Sequence, residues 1–327
     1  MSPAATADAP HVLVLGAGSI GSRHARNLVA AGAKVAVADP FPDNARPVDG
    51  TTPVPFDLDR LDGYDGVVVA SPTSEHLTQA TSVADAAVPA LVEKPLAMSA
   101  AEAAALAPAD DRITVGFNLR FHEPVRRLVE MVHGGRIGQP LSGRLWFGSW
   151  LPDWRPGVDY RRSYSARADL GGGVLLDAIH ELDLCVWLFG PDLAVQGAVV
   201  DRVGPLELDV EDTVKALLTT PDGVPVEVSL DYLSRRYRRG IEVIGDEATV
   251  RLDWARAVLE VETADGIATT SADVPLDRSY EAEAAHFLQF VGGDVAPSVD
   301  VAAATASLDL ADRIRAVGTS TPSEPVR

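Results

Sequence analysis

The chain has 327 residues, 46% of them hydrophobic, and its 47 acidic against 28 basic side chains give a net charge of −19 at pH 7. That charge repels nucleic acids and anionic membranes, and no apolar run approaches the roughly 20 residues that span a bilayer, so we expect neither as a partner. The single cysteine, Cys185, lies in an apolar run and excludes an internal disulfide, which is typical of a cytoplasmic protein.

Residues 1–10 carry neither a basic nor an apolar segment, so we expect a disordered leader rather than a signal peptide. The next segment, 11–120, alternates short apolar runs with stretches rich in alanine and leucine. Continuous apolar strands that alternate with helices are typical of a parallel sheet covered on both faces. This pattern predicts an α/β fold that begins with a doubly wound Rossmann domain. The expected strands are 12–15, 35–38, 66–70, 90–93 and 113–116, and the expected helices are 20–31, 73–86 and 99–107.

The pattern changes in residues 121–327, which we predict to form a second domain. Several short strands joined by turns fill 194–262, with helices segregated before and after them. This grouping favours an α+β domain built on a mostly antiparallel sheet. The other expected elements are helices at 123–133, 174–189, 279–291 and 299–317, a strand at 141–149, an irregular loop at 151–170, and turns at 221–223 and 245–246.

A glycine-rich turn, GAGSIG, follows the first strand directly and opens the first helix. It is the GxGxxG fingerprint in the strand–turn–helix context that dinucleotide binding needs. Gly16 permits the tight turn, Gly18 lets the backbone approach a pyrophosphate, and Gly21 lets the helix pack on the strand. Together with Ser19 and Ile20 at the helix N-terminus, these glycines are the predicted phosphate site.

Asp39 ends the second predicted strand, 18 residues after Gly21. An acidic side chain at this point accepts hydrogen bonds from the adenosine ribose hydroxyls and repels a 2′-phosphate. The sequence therefore favours NAD over NADP as the cofactor. The alternative is that Asp39 only starts the turn before Pro40.

Three further strand ends should meet at the carboxyl edge of the sheet, where open α/β folds bind ligands. They lead into Ser71-Pro72-Thr73, Glu93-Lys94-Pro95 and Gly116-Phe117-Asn118. The first is expected near the nicotinamide ribose, unless Thr73 merely caps the next helix. A Glu-Lys pair after an apolar strand is costly unless it faces a polar cleft. Only three of the 28 basic residues are lysines, which favours a special role for the compact ammonium of Lys94.

A second polar cluster lies in the apolar helix predicted at 174–189. Asp177, His180 and Asp183 are spaced by three residues, so a continuous helix would place them on one face. Three glycines precede them and let a ligand approach, which makes this row a candidate for acid–base chemistry. The alternative is that His180 is an interior histidine that the two aspartates cap or pair.

Together these motifs resemble the glucose–fructose oxidoreductase / inositol dehydrogenase (Gfo/Idh/MocA) family, from residue 11 to about residue 317. The segments that carry the resemblance are GAGSIGSRHARNL, SPTSEH, EKPLA, GFNLRFHE and GGGVLLDAIHELD. The resemblance implies a Rossmann domain followed by a domain with a large open sheet, which commonly forms homodimers or homotetramers. It also implies that His76 and Glu93, within two of these segments, lie at the cofactor.

In this resemblance, Lys94 matches the family's catalytic lysine, and the bond before Pro95 is often cis in the family. His180 matches the motif histidine that accepts or donates a proton. Asp177 resembles the aspartate before it, but many members space these two residues four apart and here they are three apart, so two roles stay open. The hypothesis is that His180 takes the proton of a substrate hydroxyl while hydride leaves for nicotinamide C4. Lys94 then stabilises the alkoxide, and Asp177 holds the substrate or tunes the imidazole.

Substrate-binding candidates lie in the loop predicted at 151–170 and at the seam between the domains. Aromatic faces with polar neighbours suit a sugar or cyclitol ring, and arginine suits a carboxylate or phosphate. An ordinary loop pinned by aromatic packing is the alternative. The candidates are Asn118, Arg120, Trp154, Arg155, Tyr160, Arg161 and Tyr164.

Two other motifs are expected to be structural. The arginine-rich run 235–239 is interpreted as an edge strand or turn with solvated or ion-paired side chains rather than as a nucleic-acid patch. His286 is expected to pack on an amphipathic helix. The seven histidines show no HxH or HExxH spacing, so we predict no metal.

The predicted function is that of an NAD-dependent dehydrogenase or reductase that interconverts a secondary alcohol and a ketone. Its expected substrate is a sugar, a sugar derivative such as a nucleotide-linked sugar, or a cyclitol. Two alternatives stay open. One is a glycosidase or lyase that retains NAD and uses transient oxidation, and the other is a non-catalytic dinucleotide-binding regulator.

Overall fold

Two sheets, one parallel and one mostly antiparallel, organise the chain in the computed structural model, which describes residues 9–41, 46–155 and 157–318. The leader predicted at 1–10 lies outside these ranges except for its last two residues. Within the described ranges, no helix combines the length and the apolar character needed to cross a bilayer. The predicted α/β class, with a second and mostly antiparallel sheet, is confirmed.

The first sheet has six parallel strands. They are β1 (His11–Leu15), β2 (Lys34–Ala38), β3 (Thr51–Pro53), β4 (Gly66–Val69), β5 (Ala90–Glu93) and β6 (Ile113–Gly116). Their order is β3-β2-β1-β4-β5-β6, the doubly wound arrangement that the sequence predicts. The central strands are buried because apolar clusters cover both faces of the sheet. The edge strand β3 contains no apolar run, so the sequence pattern gives no signal for it.

Three helices cross between these strands: α1 (Ser19–Ala30), α2 (Thr73–Asp85) and α3 (Ala100–Ala103). The helix predicted at 99–107 continues beyond α3 only as a 3-10 helix over Ala104–Ala109. Pro108 is the physical reason, because it has no amide hydrogen to donate and its ring crowds the preceding α-helical turn.

The second sheet has eight strands. They are β7 (Pro140–Gly148), β8 (Ala194–Asp201), β9 (Thr213–Thr219), β10 (Pro225–Asp231), β11 (Arg238–Gly245), β12 (Thr249–Asp253), β13 (Val258–Thr263) and β14 (Gly266–Ser271). Their order is β14-β13-β12-β11-β7-β10-β9-β8, and only the β7–β10 pair is parallel. The turns predicted at 221–223 and 245–246 join β9 to β10 and β11 to β12.

Of the two structures predicted for 235–239, the turn is present and the edge strand is not. The segment turns into β11, which lies inside the sheet between β12 and β7. Ion pairing, the other half of that interpretation, is present: Arg238 contacts Asp231 at 2.5 Å and Arg239 contacts Glu181 at 2.6 Å. These carboxylates let two guanidinium groups sit on an interior strand.

The remaining helices are α4 (Glu123–His133), α5 (Val174–Asp177), α6 (Ile179–Phe189), α7 (Asp277–Val291) and α8 (Val301–Val317). The continuous helix predicted at 174–189 is wrong, because the backbone leaves helical geometry at Ala178, with φ −94° and ψ 30°. α7 packs on α1 and α8 packs on α3. The last part of the chain therefore returns to the helices around the first sheet.

Candidate active site

The glycine turn is shaped by close backbone contacts. Gly16 has φ +95°, and a Cβ there would lie 2.7 Å from the carbonyl oxygen of Ala70. A Cβ on Gly21 would lie 1.9 Å from the carbonyl oxygen of Gly16, so helix and turn meet with no room for a side chain. A Cβ on Gly18 would meet no atom of the described residues within 4 Å. The turn is thus closed toward the protein and open above Gly18, which fits a bound pyrophosphate.

Asp39 is anchored to this turn. Its Oδ2 accepts a hydrogen bond from the amide of Ala17 at 2.7 Å, and its Oδ1 accepts one from the amide of Phe41 at 2.8 Å. The side chain therefore starts the turn after β2 and also places a carboxylate beside the glycine turn. Ser19 and Ile20 begin α1 at the same place, so the geometry fits an adenosine ribose next to the pyrophosphate.

The end of β4 is tied to the end of β5 by His76. Its Nδ1 lies 2.8 Å from the carbonyl oxygen of Pro95 and its Nε2 lies 3.0 Å from that of Ser71. The ring is buried and both of its nitrogens face backbone carbonyls, so His76 links the two strand ends and has no free nitrogen for a ligand. Thr73 does not cap α2: the N-cap residue is Pro72, without a side-chain hydrogen bond, so the capping alternative is wrong.

Lys94 connects the end of β5 to the end of α5. Its Nζ donates a hydrogen bond to the backbone carbonyl oxygen of Asp177 at 2.8 Å. The Lys94–Pro95 bond is cis, as the resemblance implies. Because the helix breaks at Ala178, the carbonyl oxygen of Asp177 is free of the helix and available to Lys94. The interruption places the ammonium at the junction between α5 and α6.

His180 lies at this junction and is almost buried, with 8% of its surface exposed. Its ring packs edge-on against Phe117, with ring centroids 5.6 Å apart. Burial, followed by the positive charges of Lys94 and Arg239, holds the pKa of His180 well below its usual 6.5. Among the described residues its Nδ1 has no hydrogen-bond partner. The imidazole is therefore neutral near pH 7 and able to accept a proton.

The carboxylate of Asp177 is held by two phenols. Its Oδ2 accepts a hydrogen bond from the hydroxyl of Tyr232 at 2.5 Å, and Tyr164 also bonds to it. Burial and the nearby charge of Asp177 raise the pKa of both tyrosines well above 10, so both remain donors. Of the two roles left open for Asp177, this clamp favours tuning the site over holding a substrate. Tyr232 lies 55 residues from Asp177, and no motif in the sequence marks it.

The predicted row of Asp177, His180 and Asp183 is wrong, because the break at Ala178 puts Asp177 on α5 while His180 and Asp183 lie on α6. Asp183 is engaged by Arg120, from which it accepts two hydrogen bonds at 2.7 and 3.0 Å. The guanidinium of Arg120 is therefore committed to this buried pair.

Asn118 is similarly committed within the seam. Its Nδ2 donates to the hydroxyl of Ser279 at 2.7 Å, and the residue is buried. Asn118 and Arg120 each link the segment predicted as the first domain to the segment predicted as the second, and the structure pairs their polar groups internally. Substrate contacts by either residue stay predictions.

The loop candidates divide into two groups. Trp154 packs edge-on against Tyr232, and Arg155 lies over the ring of Tyr164 at 5.2 Å, so all three predicted residues surround the Asp177 clamp. The other group is fixed elsewhere. The Tyr160 hydroxyl accepts from the amide of Glu207, and Arg161 pairs with Asp159 and Glu207 on the surface.

The sequence allows for ion-paired arginines at 235–239, but it does not identify Glu181 as the partner of Arg239 or place this buried pair near His180. Arg239 donates to both oxygens of Glu181, at 2.6 and 3.0 Å, and both side chains are buried. Its charge contributes to the low pKa of His180. Glu181 adjoins the motif histidine in sequence, so an acidic neighbour is visible, but its partner lies 58 residues away.

A second buried acid, Glu283 on α7, supports a stability prediction. Only 2% of Glu283 is exposed, and neither carboxyl oxygen has a hydrogen-bond partner among the described residues. Burial, and to a smaller extent the negative charge of Glu93, raises the pKa of Glu283 well above 4.5. The native state therefore binds a proton that the unfolded chain releases. As pH rises from about 4.5 through the raised pKa of Glu283, keeping this proton costs more, and the free energy of unfolding falls. We expect Glu283→Met to stabilise the protein by about 1–3 kcal/mol, increasingly so at higher pH. Thermal unfolding from pH 5 to 8 measures this.

The control for this prediction is Glu281→Met on the same helix, where the carboxylate is half-exposed and pairs with Arg278. A surface change of this kind should alter stability by less than about 0.5 kcal/mol. If Glu283→Met unfolded at a lower temperature than the parent protein at every pH, the unpaired carboxyl would not be the destabilising group that its burial indicates.

Comparison with known proteins agrees with this geometry. Residues 11–114 match the model of an oxidoreductase family with an NAD-binding Rossmann fold, and residues 125–251 match that of the Gfo/Idh/MocA C-terminal domain. Inositol 2-dehydrogenase of Acidothermus cellulolyticus is 32% identical over 264 residues, which are 73% of this chain and 71% of that protein. The chain belongs to the Gfo/Idh/MocA family of oxidoreductases.

Two further comparisons show how far the likeness extends. D-apiose dehydrogenase of Paraburkholderia graminis is also 32% identical, but the match covers 64% of this chain and only 56% of that protein. An oxidoreductase from Agrobacterium radiobacter, solved in complex with NAD+, L-tartaric acid and magnesium, shares the fold with a TM-score of 0.78. Its identity is 22%, over 94% of this chain and 96% of that chain. The predicted family and enzyme class, an NAD(P)-dependent dehydrogenase family acting on sugars and inositols, are confirmed.

Proposed function

We propose that this Gfo/Idh/MocA protein interconverts a secondary alcohol and a ketone on a sugar, a sugar derivative or a cyclitol, with NAD(H) as its cofactor. The observation that carries the proposal is the meeting of Lys94 with the segment that holds His180. A cation and a neutral imidazole lie together at the carboxyl edge of a sheet that also carries an open glycine turn. That combination suits proton removal from a hydroxyl beside a hydride acceptor.

The two groups have complementary roles. His180 is neutral, so it accepts the hydroxyl proton of an alcohol, and in the reverse direction it returns that proton to the alkoxide. Lys94 places positive charge where the alkoxide develops, within a site that largely excludes water. Asp177 fixes the Lys94 ammonium through its backbone carbonyl. When bound, the nicotinamide ring supplies the hydride acceptor or donor.

The cofactor would be held at four strand ends of the first sheet, those of β1, β2, β4 and β5. Gly16, Gly18 and Gly21 shape the pyrophosphate turn, and Asp39 stands beside it to receive the ribose hydroxyls. The strand ends at Ser71 and Glu93 border the nicotinamide side. Because a carboxylate repels a 2′-phosphate, Asp39 favours NAD over NADP.

Asp39→Ser is the variant that tests this preference. Losing a charged hydrogen-bond acceptor is expected to weaken NAD binding by roughly tenfold and to narrow or reverse the preference over NADP. Calorimetric titration with both dinucleotides measures it. Asp85→Ser, at the exposed end of α2, is the control and should bind both as the parent protein does. Unchanged affinities in Asp39→Ser would contradict the assignment.

We further propose that the protein is a cytoplasmic homodimer or homotetramer that assembles through the open face of the second sheet. Trp146 on this face lies between Arg144 and Arg251, with each guanidinium within 5.6 Å of the ring. Two neighbouring strands expose Val199 and Leu217. An exposed face with aromatic, arginine and aliphatic side chains has the composition of a protein interface.

The activity is tested by a substrate screen. Sugars, cyclitols and nucleotide sugars are incubated with the protein and NAD, and NADH absorbance is recorded. We expect turnover with at least one polyol. If calorimetry detected no binding of either nicotinamide dinucleotide, the proposal would be wrong.

A further inference from the structure

A polar cluster adjoins the backbone of Lys94, and the proposed mechanism does not use it. Its buried members are His24 from α1, Glu93 at the end of β5 and Glu283 from α7, and the partly exposed Arg23 and Tyr280 lie at its edge. His24 and Glu93 are 1% and 5% exposed, and His24 Nε2 lies 2.7 Å from Glu93 Oε1. An ionised carboxylate only accepts hydrogen bonds, so the imidazole is the donor.

The other oxygen of the same carboxylate reaches the lysine. Glu93 Oε2 accepts a hydrogen bond from the backbone amide of Lys94 at 3.1 Å. A third side is closed by Gly116, where a Cβ would lie 3.3 Å from Glu93 Oε1. With one oxygen on α1, the other on the Lys94 backbone and a strand against it, the carboxylate has one orientation. The chain from His24 to Lys94 is therefore continuous.

The charge of Glu93 depends on this chain. Burial alone would raise its pKa, but the hydrogen bond and charge of His24, with the charge of Lys94, outweigh burial and hold the pKa below its usual 4.5. From α7 the cluster presents only an acid and a phenol, Glu283 and Tyr280. Arg23 is engaged over the Tyr280 ring at 4.5 Å. Among the described residues, His24 is the only side chain that donates a hydrogen bond to the Glu93 carboxylate.

We infer that His24 is a positioning residue for Lys94, acting through Glu93. The imidazole fixes the carboxylate, the carboxylate fixes the Lys94 backbone, and the backbone sets where the ammonium meets Asp177. The consequence for catalysis rests on the proposed function. The consequence for the geometry of Lys94 does not.

A matched pair of variants tests this inference. Methionine and glutamine have nearly the same shape, so His24→Met and His24→Gln differ in whether the side chain can donate to Glu93. The readout is the rate at which an amine-acylating reagent modifies Lys94, followed by peptide mass spectrometry. The chain has only three lysines, so Lys34 and Lys215 serve as internal references. We expect Lys94 to react roughly tenfold faster in His24→Met, because about that factor corresponds to the loss of one charged hydrogen bond. In His24→Gln the rate should stay close to that of the parent protein.

Equal Lys94 reactivity in both variants and the parent protein would overturn the inference, and so would equal acceleration in both variants. If His24→Met does not fold, Glu93→Met gives the same test, because methionine offers no carboxylate oxygen to either His24 or the Lys94 amide. Faster modification of Lys94 is then expected, and an unchanged rate contradicts the inference. With a substrate from the screen, kcat should fall in His24→Met while KM for NAD stays constant. Since the acylation needs no substrate, its outcome is separable from that of the proposed function.

Discussion

Lys94→Met should lower kcat for alcohol oxidation by about 10²- to 10³-fold while leaving the affinity for NAD nearly unchanged. A preorganised charge that meets a developing alkoxide in a water-poor site contributes this much to catalysis. Methionine retains most of the apolar stem, so the loss is that of the ammonium and of its hydrogen bond to the Asp177 carbonyl. Steady-state NADH formation gives kcat, and calorimetric titration gives the dissociation constant of NAD.

Lys34→Met is the matched control for this experiment. Lys34 begins β2, at the amino end of the first sheet, whereas Lys94 follows the carboxyl end of β5. The same chemical change at the far edge should leave kcat unaltered. A Lys94→Met protein that turns over at the parent rate would show that another group stabilises the alkoxide.

The architecture follows from hydrophobic patterning because each sheet buries a different pattern. Continuous apolar runs such as Val12–Leu15 are buried on both faces and predict the parallel sheet, while shorter strands with turns between them predict the antiparallel one. What patterning cannot give is a local break. No glycine or proline in 174–189 signals a break at Ala178. Its backbone departs from the helix where the Asp177 carbonyl is bound by a lysine 83 residues earlier in the chain.

The candidate site shows the same division between local and distant information. The glycine turn and Lys94 are recognisable because their chemistry is written within a few neighbouring residues. Tyr232 and Arg239 are not, because each acquires its role from a carboxylate more than 50 residues away. The spacing of three residues between Asp177 and His180 predicts one shared helical face. In the structure Asp177 ends α5 and His180 lies in the first turn of α6, so the two residues do not share one helical face.

His180→Gln is the second prediction with a large effect. Glutamine keeps a polar side chain of similar length but cannot take up a proton, so kcat/KM for alcohol oxidation should fall by about 10²- to 10⁴-fold. His286→Gln is the matched control. The half-buried ring of His286, on α7, packs on Phe121, so its replacement should leave kcat/KM unaltered. Initial rates of NADH formation at subsaturating substrate measure both variants.

The pH profile of the parent protein separates this role from a structural one. A proton acceptor works only when neutral, and the pKa of His180 lies well below 6.5 because of burial and then the charges of Lys94 and Arg239. The acid limb of kcat/KM should therefore begin well below pH 6.5, with a plateau through neutrality, and should be absent from the residual activity of His180→Gln. An ordinary, solvent-exposed histidine would place that limb near 6.5. A limb near pH 6.5 that persists in His180→Gln would assign the proton transfer to another group. The role of the buried His180 would then be structural only.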